Sequence, residues 1–219
     1  MEINLSEIGM EKGKQYETIV STINNENVKN AAPIGIICSG NNKILCRIFK
    51  GSHTLDNILA QKEFIVNITH DPSLFMKSTV GNLPQNYFNE NNSIKNVGAY
   101  FKCEANSFKE AVKQSDPIKK NGEAIVIKSE VVDLKINHPI KAFNRGFGYV
   151  IESLSNFSRY ELVDDEKKEE YIEQFKEAKR VVKKIGYKNE IKAMNEIKKR
   201  YGIWLFFNHI HKFKAIPIK

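Results

Sequence analysis

Residues 47–57, RIFKGSHTLDN, carry the side chains best suited to holding an anion. The segment passes from an apolar, strand-like run into a helix-like pattern, and a strand-to-helix junction directs unpaired backbone N–H groups toward one point. A glycine lets the backbone approach a phosphate closely, hydroxyl groups donate hydrogen bonds, and cationic side chains donate charge-assisted ones. The residues expected to contribute are Arg47, Lys50, Gly51, Ser52, His53, Thr54 and Asn57. The same residues also suit a plain turn and a helix capped by Thr54, and the segment alone leaves both interpretations open.

Other ligand-binding motifs are incomplete or absent from the sequence. Residues 9–15, GMEKGKQ, resemble a P-loop but are one residue short, and Gln15 stands where a serine or threonine would hold magnesium. No G-x-G-x-x-G or G-x-S-x-G pattern occurs, which argues against a dinucleotide fingerprint and a serine-hydrolase elbow. His209 and His211 could share one side of a strand, but without a nearby cysteine or carboxylate pattern they do not predict a metal site.

The elements that must position the 47–57 segment have the pattern of short strands. Between residues 16 and 137, β-branched runs are separated by Asn, Gly and Pro, which is typical of antiparallel strands joined by turns. Strands are predicted at residues 16–22, 31–38, 43–49, 63–68, 99–106 and 123–136. Short helices are predicted at residues 54–61 and after an Asp71 cap followed by Pro72. Short antiparallel strands with two small helices favour a β-barrel over a parallel sheet.

After residue 138 the spacing of apolar residues changes from two to between three and four, which indicates helices. One predicted helix face consists of Phe143, Phe147, Val150, Leu154 and Phe157. The next consists of Tyr171, Phe175, Ala178, Val182 and Ile185. A third helix is predicted at about residues 189–201, and residues 203–219 suit either an edge strand or a packed tail. The chain is therefore expected to have a β-barrel domain, residues 1–140, and a helical C-terminal subdomain with a short apolar tail, residues 141–219.

Composition and charge argue against several classes of protein. With 219 residues, 41% of them hydrophobic, the chain can bury a core, and its apolar runs are too short to span a bilayer. The acidic N-terminus does not resemble a signal peptide, and three cysteines without a C-x-x-C pair indicate reduced thiols, so a cytoplasmic protein is expected. Residues 141–219 hold 18 basic and 11 acidic residues and so carry nearly all of the net charge of +8. Because the acids are interleaved with these bases, nucleic-acid binding is not the favoured expectation.

Four stretches of the sequence, in this order, resemble the flavin reductase-like FMN-binding split-barrel superfamily. They are residues 16–20 (YETIV), 30–35 (NAAPIG), 49–58 (FKGSHTLDNI) and 64–67 (FIVN). More narrowly, the chain resembles an archaeal branch that is classed as a domain of unknown function and has a helical C-terminal subdomain. Residues 144–152 (NRGFGYVIE) and 158–160 (SRY) carry that second resemblance. The implied fold is mainly β with α, an antiparallel split β-barrel followed by helices.

The resemblance implies that the chain binds flavin mononucleotide (FMN). The flavin ring would lie along the second strand, where backbone groups can hydrogen-bond to its pyrimidine edge. The residues implied there are Asn30, Ala31, Ala32, Pro33, Ile34 and Gly35. The phosphate would fall on Lys50, Gly51, Ser52 and Thr54, with Arg47 and Asn57 close by, and His53 stands where many flavin reductases have a second basic residue. A homodimer with the cofactor near its interface is also implied, which would cover exposed barrel edges.

Three functions are compatible with these features. In a flavin-dependent oxidoreductase the cofactor supplies the redox chemistry, so no catalytic side chain is predicted. NAD(P)H or a reduced deazaflavin would be the electron donor, and the acceptor is left open. The first alternative is a flavin carrier or sensor without turnover. The second, less favoured, is a basic nucleic-acid adaptor that uses the C-terminal helices.

Overall fold

The computed structural model describes residues 3–81, 83–112 and 123–213, without side-chain detail beyond residue 202. The chain divides into two compact units, residues 1–143 and 144–219, and each is described here by itself. No helix of the described residues is long and apolar enough to cross a membrane.

The first unit is a closed antiparallel barrel. Its strands are β1 (Gln15–Ile23), β2 (Lys29–Gly40), β3 (Lys43–Phe49), β4 (Glu63–Ile68), β5 (Ala99–Val112) and β6 (Glu123–Ile136). Around the barrel the order is β1-β2-β3-β6-β5-β4, and β4 pairs back with β1. The predicted antiparallel barrel is therefore confirmed. The predicted end of β5 at residue 106 is wrong, because the polar stretch that follows continues to pair with β6 as far as Val112.

Alternate strand residues fill the barrel interior. On β3, for example, Ile44, Cys46 and Ile48 are buried, whereas the residues between them face outward. All three cysteines are free and buried, as expected. Burial raises the pKa of the Cys46 thiol to about 12 and raises that of Cys103 well above its ordinary value. These thiols therefore behave as small hydrophobic side chains.

Two short helices connect strands of the barrel, α1 (His53–Gln61) and α2 (Pro72–Val80). Asp71 caps α2 as predicted, since its side chain accepts a hydrogen bond from the N–H of Ser73 at 2.8 Å. The predicted cap of α1, Thr54, is wrong. Ser52 caps α1 instead, because its Oγ accepts from the N–H of Leu55 at 3.3 Å, whereas Thr54 is buried and its hydroxyl has another partner.

The second unit contains α3 (Gly146–Arg159), α4 (Asp165–Ile185) and α5 (Lys188–Phe213), packed around a core of their own. The face predicted for α4 is confirmed, because all five of its apolar residues are buried. α5 extends far beyond the predicted residue 201, so residues 203–213 are helical and do not form an edge strand. Residues 214–219 lie outside the described residues. His209 and His211 lie within this helix and not on a strand.

The face predicted for α3 is wrong in part. Val150 is buried, but Phe147 is 62% exposed and Leu154 is 43% exposed, and Phe143 precedes the helix. The buried side of α3 instead includes Ser153 and Asn156, whose polar groups are satisfied by the carbonyl of Tyr149 and the side chain of Gln174. Hydrogen-bonded polar residues can occupy a core position, which is why the apolar pattern selected the wrong side.

Candidate functional site

Although the six strands close into a barrel, one edge of β2 is unpaired along part of its length. Residues 29–37 of β2 pair with β1, but pairing with β3 begins only at Ile36, opposite Cys46. Beyond that point β3 pairs with β6 alone. Within the described residues, the stretch 29–35 therefore has one edge that no strand covers. This stretch contains the six residues predicted to lie along a flavin ring.

The alternation of hydrogen bonds shows which backbone groups face the open edge. On β2, both the N–H and the C=O of Cys38 bond to residues preceding β1, and on β1 the N–H of Glu17 points away from β2 to the carbonyl of Phe143. In an antiparallel pair, successive residues alternate between the two edges. The N–H and C=O groups of Ala31 and Gly35, and the C=O of Pro33, consequently point toward the open edge. Because Pro33 has no N–H, its place in this alternation breaks no bond to β1.

The N-terminal end of α1 is fastened beside this edge by two side-chain amides. Asn30 Nδ2 donates to Thr54 Oγ1 at 3.0 Å, which links β2 to the first turn of α1. Asn57 Nδ2 donates to Thr22 Oγ1 at 3.0 Å, which links the next turn to β1. Asn57, predicted as a contact of the phosphate or as a helix cap, thus holds the helix in place.

The turn before α1 presents an accessible group of hydrogen-bond donors. Gly51 has a left-handed backbone with φ of +79°, and no atom lies within 4 Å of the place where a Cβ would stand. Ser52 Oγ is held by the carbonyl of Phe49, to which it donates at 3.0 Å. In the described structure the backbone N–H groups of His53 and Thr54 have no acceptor. Such unpaired groups carry the positive end of the helix dipole and attract anions.

The two cations of the predicted site, Lys50 and Arg47, contact other side chains in the described structure. The Lys50 amine forms ion pairs with Glu110 at 2.8 Å and Glu123 at 2.9 Å. These hydrogen bonds raise the pKa of Lys50, and the one to Glu110 lowers the pKa of that carboxyl. The guanidinium of Arg47 lies over the Phe49 ring, 4.8 Å from its centroid, on the outward side of β3. The structure thus groups Asn30, Thr54 and the Gly51 turn, while the Lys50 amine faces the ends of β5 and β6.

Asn67 supports the site in a way that sequence reasoning missed. It is fully buried, and its amide donates to the carbonyl of Ile19 and the hydroxyl of Ser21, both at 3.0 Å, while its oxygen accepts from the N–H of Ile94 at 2.8 Å. It therefore joins β1 and β4 to a distant loop. An asparagine inside an otherwise apolar strand, FIVNI, is the signal that could have identified this role.

Two hollows in the barrel unit lie away from the N-terminal end of α1. One, of about 680 Å³, is lined by His70, His138 and neighbouring residues at the opposite end of β4. The other, of about 340 Å³, lies over β4 and β5 near Tyr100. Neither is lined by residues 30–35 or 47–57. Among the residues that the structure describes, no group of three His, Cys, Asp or Glu side chains is placed to hold a metal ion.

Comparison with solved structures finds, among others, two proteins that are similar to this chain. An FMN-bound DUF447 protein, MM1853 from Methanosarcina mazei, is 30% identical, with a TM-score of 0.52 over 90% of this chain and 99% of that one. The styrene monooxygenase flavin reductase of Pseudomonas putida S12 is 8% identical, with a TM-score of 0.46 over 61% of this chain and 84% of that one.

Sequence comparisons cover both units of the chain. The uncharacterized protein MJ1453 of Methanocaldococcus jannaschii is 28% identical over 188 residues, which are 83% of this chain and 94% of that protein. The model of the N-terminal domain of a protein of unknown function, DUF447, matches residues 16–138, and the model of the C-terminal part of DUF447 matches residues 144–199. These two matches cover most of the barrel and of the helical unit, and the chain therefore belongs to the DUF447 family.

Proposed function

We propose that this chain binds FMN along the open edge of β2, with the phosphate at the N-terminal end of α1. The observation that carries the proposal is the hydrogen bond between Asn30 and Thr54, which places an uncovered strand edge directly beside a helix N-terminus. A flat ring with hydrogen-bonding groups on one edge and a phosphate at the end of its side chain needs both features side by side. The FMN-bound relative from Methanosarcina mazei supports the same cofactor.

At the phosphate end, the proposed donors are the N–H groups of His53 and Thr54, with the Ser52 hydroxyl and the open Gly51 turn beside them. Lys50 is also a proposed contact of the phosphate. Its ion pairs with Glu110 and Glu123 are on the surface, where such pairs exchange at small free-energy cost, so its amine can turn toward a dianion. Arg47 contributes positive charge from the adjoining strand.

At the ring end, backbone groups rather than side chains read the flavin. The N–H and C=O groups of Ala31 and Gly35 and the C=O of Pro33 offer donors and acceptors to the pyrimidine edge. Ala31 is buried against the α2 side of the barrel, and the small side chain of the half-buried Ala32, on the opposite face of the strand, leaves room for a flat ring. Asn30 anchors this stretch to α1, so ring and phosphate are held by one connected group of elements.

The reaction that we propose is flavin-dependent oxidation and reduction. When bound, FMN would accept hydride and pass electrons to an acceptor, while the chain's residues orient it and exclude water. We infer that a second copy of the chain covers the open edge. The alternative, a flavin carrier without turnover, predicts no reduction by NADH, NADPH or a reduced deazaflavin under anaerobic conditions, which absorbance at the flavin band measures directly.

A titration with FMN, FAD and riboflavin tests the phosphate site. Since charge-assisted hydrogen bonds contribute on the order of 1.5 to 3 kcal/mol each, riboflavin should bind at least about tenfold more weakly than FMN. The double substitution Lys50→Ala/Ser52→Ala should weaken the binding of FMN and leave the binding of riboflavin unchanged. Lys43→Ala, at the other end of β3, is the matched control. Equal affinity for FMN and riboflavin would refute a phosphate site at the start of α1.

A further inference from the structure

The helical unit carries a group of lysines that its carboxylates do not neutralise. Over most of α4, cations are paired with carboxylates three residues away: Lys167 with Glu170, Lys176 with Glu173, and Arg180 with Glu177. Four lysines around one hollow differ from this pattern: Lys179 on α4 and Lys188, Lys192 and Lys198 on α5. Within the described residues, none of these four has an ion-pair partner.

These four lysines surround one hollow of about 580 Å³ between α4 and α5. Lys199 also lines it, and the only carboxylate among the described lining residues, Glu196, bonds to Lys199 at 2.8 Å. The hollow is thus a concave surface with positive charge on both helices. We refer to it as the lysine hollow.

The charges in the lysine hollow repel one another. Lys179 is partly buried, and this burial, together with the nearby charges of Lys198 and Lys183, lowers its pKa. At Lys167, Lys176 and Arg180 of α4, a carboxylate three residues away offsets such repulsion. A bound polyanion would relieve it.

We propose that the lysine hollow binds the phosphate backbone of a nucleic acid without reading its sequence. Pockets for small ligands of this volume are lined mainly by apolar and aromatic groups, and here Ile191 is the only apolar residue among the described lining residues. Protein interfaces are depleted in lysine and depend on aromatic or apolar anchors, of which the described lining residues offer only Ile191. Lysine amines, by contrast, release counterions when they neutralise phosphates. Because the described lining residues include no arginine and no aromatic side chain, they offer neither bidentate recognition of bases nor stacking.

The spacing of the lysines agrees with a linear polyanion. Lys188 and Lys192 are four residues apart on α5, so they stand about 6 Å apart along the helix axis on one face. Lys199 extends the same face by two more turns, and Lys179 faces it from α4. The charges therefore follow α5 for about three turns, with one charge opposite them on α4, and do not converge on a single point.

Fluorescence anisotropy measures the binding of two labelled probes, a single-stranded RNA of about 20 nucleotides and a DNA duplex of about 20 base pairs. The salt concentration is varied from about 50 to about 200 mM, because phosphate contacts depend strongly on salt in this range. The test variant of the full chain is Lys188→Ala/Lys192→Ala/Lys198→Ala. The matched control is Lys167→Ala/Lys176→Ala/Arg180→Ala, which removes the same number of charges from ion-paired positions on α4. Because all six side chains are on the surface, both variants should keep the native circular dichroism spectrum and FMN affinity.

We expect the test variant to lose at least about tenfold in affinity for one or both nucleic acids and its salt slope to fall by about 2 to 3 units, whereas the control changes by less than about threefold. Three results would overturn the proposal: no binding by the wild-type chain at the lowest salt, equal loss in both variants, or binding to phosphatidylglycerol vesicles but not to nucleic acid. The proposal does not depend on flavin binding, so the outcome of the FMN titration leaves it unaffected.

Discussion

Ser52 links the stability of α1 to the chemistry proposed at its N-terminus. Its Oγ caps the helix through the N–H of Leu55 and lies beside the unpaired N–H groups of His53 and Thr54. A substitution that removes the hydroxyl would disturb both functions at once, since loss of an N-cap costs about 1 kcal/mol. A substitution that keeps the cap but changes its charge separates them.

Ser52→Asp is that substitution. Aspartate caps helices as well as serine does, so the thermal unfolding temperature should stay close to that of the wild type. Its negative charge would repel a phosphate, so FMN affinity should fall at least about tenfold, while riboflavin affinity remains unchanged. Fluorescence titration of both flavins measures the two affinities. A parallel loss for FMN and riboflavin would place the phosphate elsewhere.

The buried cysteines give a second prediction at the scale of single residues. Because burial raises the pKa of Cys46 to about 12, that of Cys103 well above its ordinary value and that of Cys38 above its ordinary value, almost no thiolate is present in the folded protein at pH 8. A disulfide reagent should therefore react slowly with the native chain and rapidly with all three thiols after denaturation. Burst labelling of two or more thiols in the native state would contradict the packing described for the barrel.

The same pKa shifts set a dependence of stability on pH. A thiol whose pKa is raised in the folded state stabilises that state fully below its unfolded pKa near 9, and the stabilisation is lost as pH rises toward 12. The free energy of unfolding should consequently decline in this window. A Cys46→Ala variant, measured by denaturant unfolding at pH 8 and pH 10.5, should show a smaller decline than the wild type.

At the scale of elements, the position of α1 depends on the two amide-to-hydroxyl bonds from Asn30 and Asn57. Asn57→Ala should destabilise the protein by about 1 kcal/mol and lower FMN affinity severalfold, because the helix N-terminus is no longer held beside β2. Thr22→Val removes the other partner of the same bond. In a double-mutant cycle the two changes should therefore be less than additive in their effect on FMN affinity, and strict additivity would show that the bond does not position the site.

The orientation of α3 gives a second prediction for an element. Val150 faces the core of the helical unit, while its neighbour Ile151 is 49% exposed. Val150→Ala should lower the free energy of unfolding by about 2 kcal/mol because it leaves a cavity, and Ile151→Ala should change it by less than about 0.5 kcal/mol. Chemical denaturation of the two variants compares them directly. The opposite order would contradict the packing of Val150 into the core of the helical unit.

At the scale of the whole molecule, the uncovered edge of β2 is the feature that most needs a partner. Exposed strand edges favour pairing with further chains, and an FMN ring along such an edge would otherwise face water. We therefore expect a homodimer in solution, with a mass near twice 25.1 kDa, and tighter association when FMN is present. Sedimentation velocity with and without FMN measures both. A monomer at all concentrations, with FMN bound, would mean that one chain completes the site.

The positive charge of the chain is unevenly distributed between its two units. The barrel is nearly neutral, whereas the helical unit carries most of the net charge and the lysine hollow. The proposed flavin site and the lysine hollow belong to different units, so variants at one should leave binding at the other intact.

Local features of the sequence predicted the barrel, the start of α2 and the buried face of α4. Alternation of apolar residues marks strands whatever their partners, and Asp71 followed by Pro72 starts a helix through contacts a few residues apart. The residues of α4 were correctly assigned because all of its buried positions are apolar. Asn30 and Thr54 were likewise predicted to take part in one site, through the resemblance to a family rather than through any local rule.

The tertiary structure alone decided which edge of β2 is open, which residue caps α1, where the Lys50 amine is held and which side of α3 is buried. Each of these depends on groups distant in the sequence. β3 pairs with β6 where it no longer pairs with β2, and the side-chain amide of Asn30 donates to the hydroxyl of Thr54. Glu110 and Glu123 form ion pairs with Lys50, and Gln174 accepts a hydrogen bond from Asn156. Spacing along a chain records the period of an element, but a hydrogen bond or ion pair between residues 18 to 73 positions apart forms only after the elements have packed.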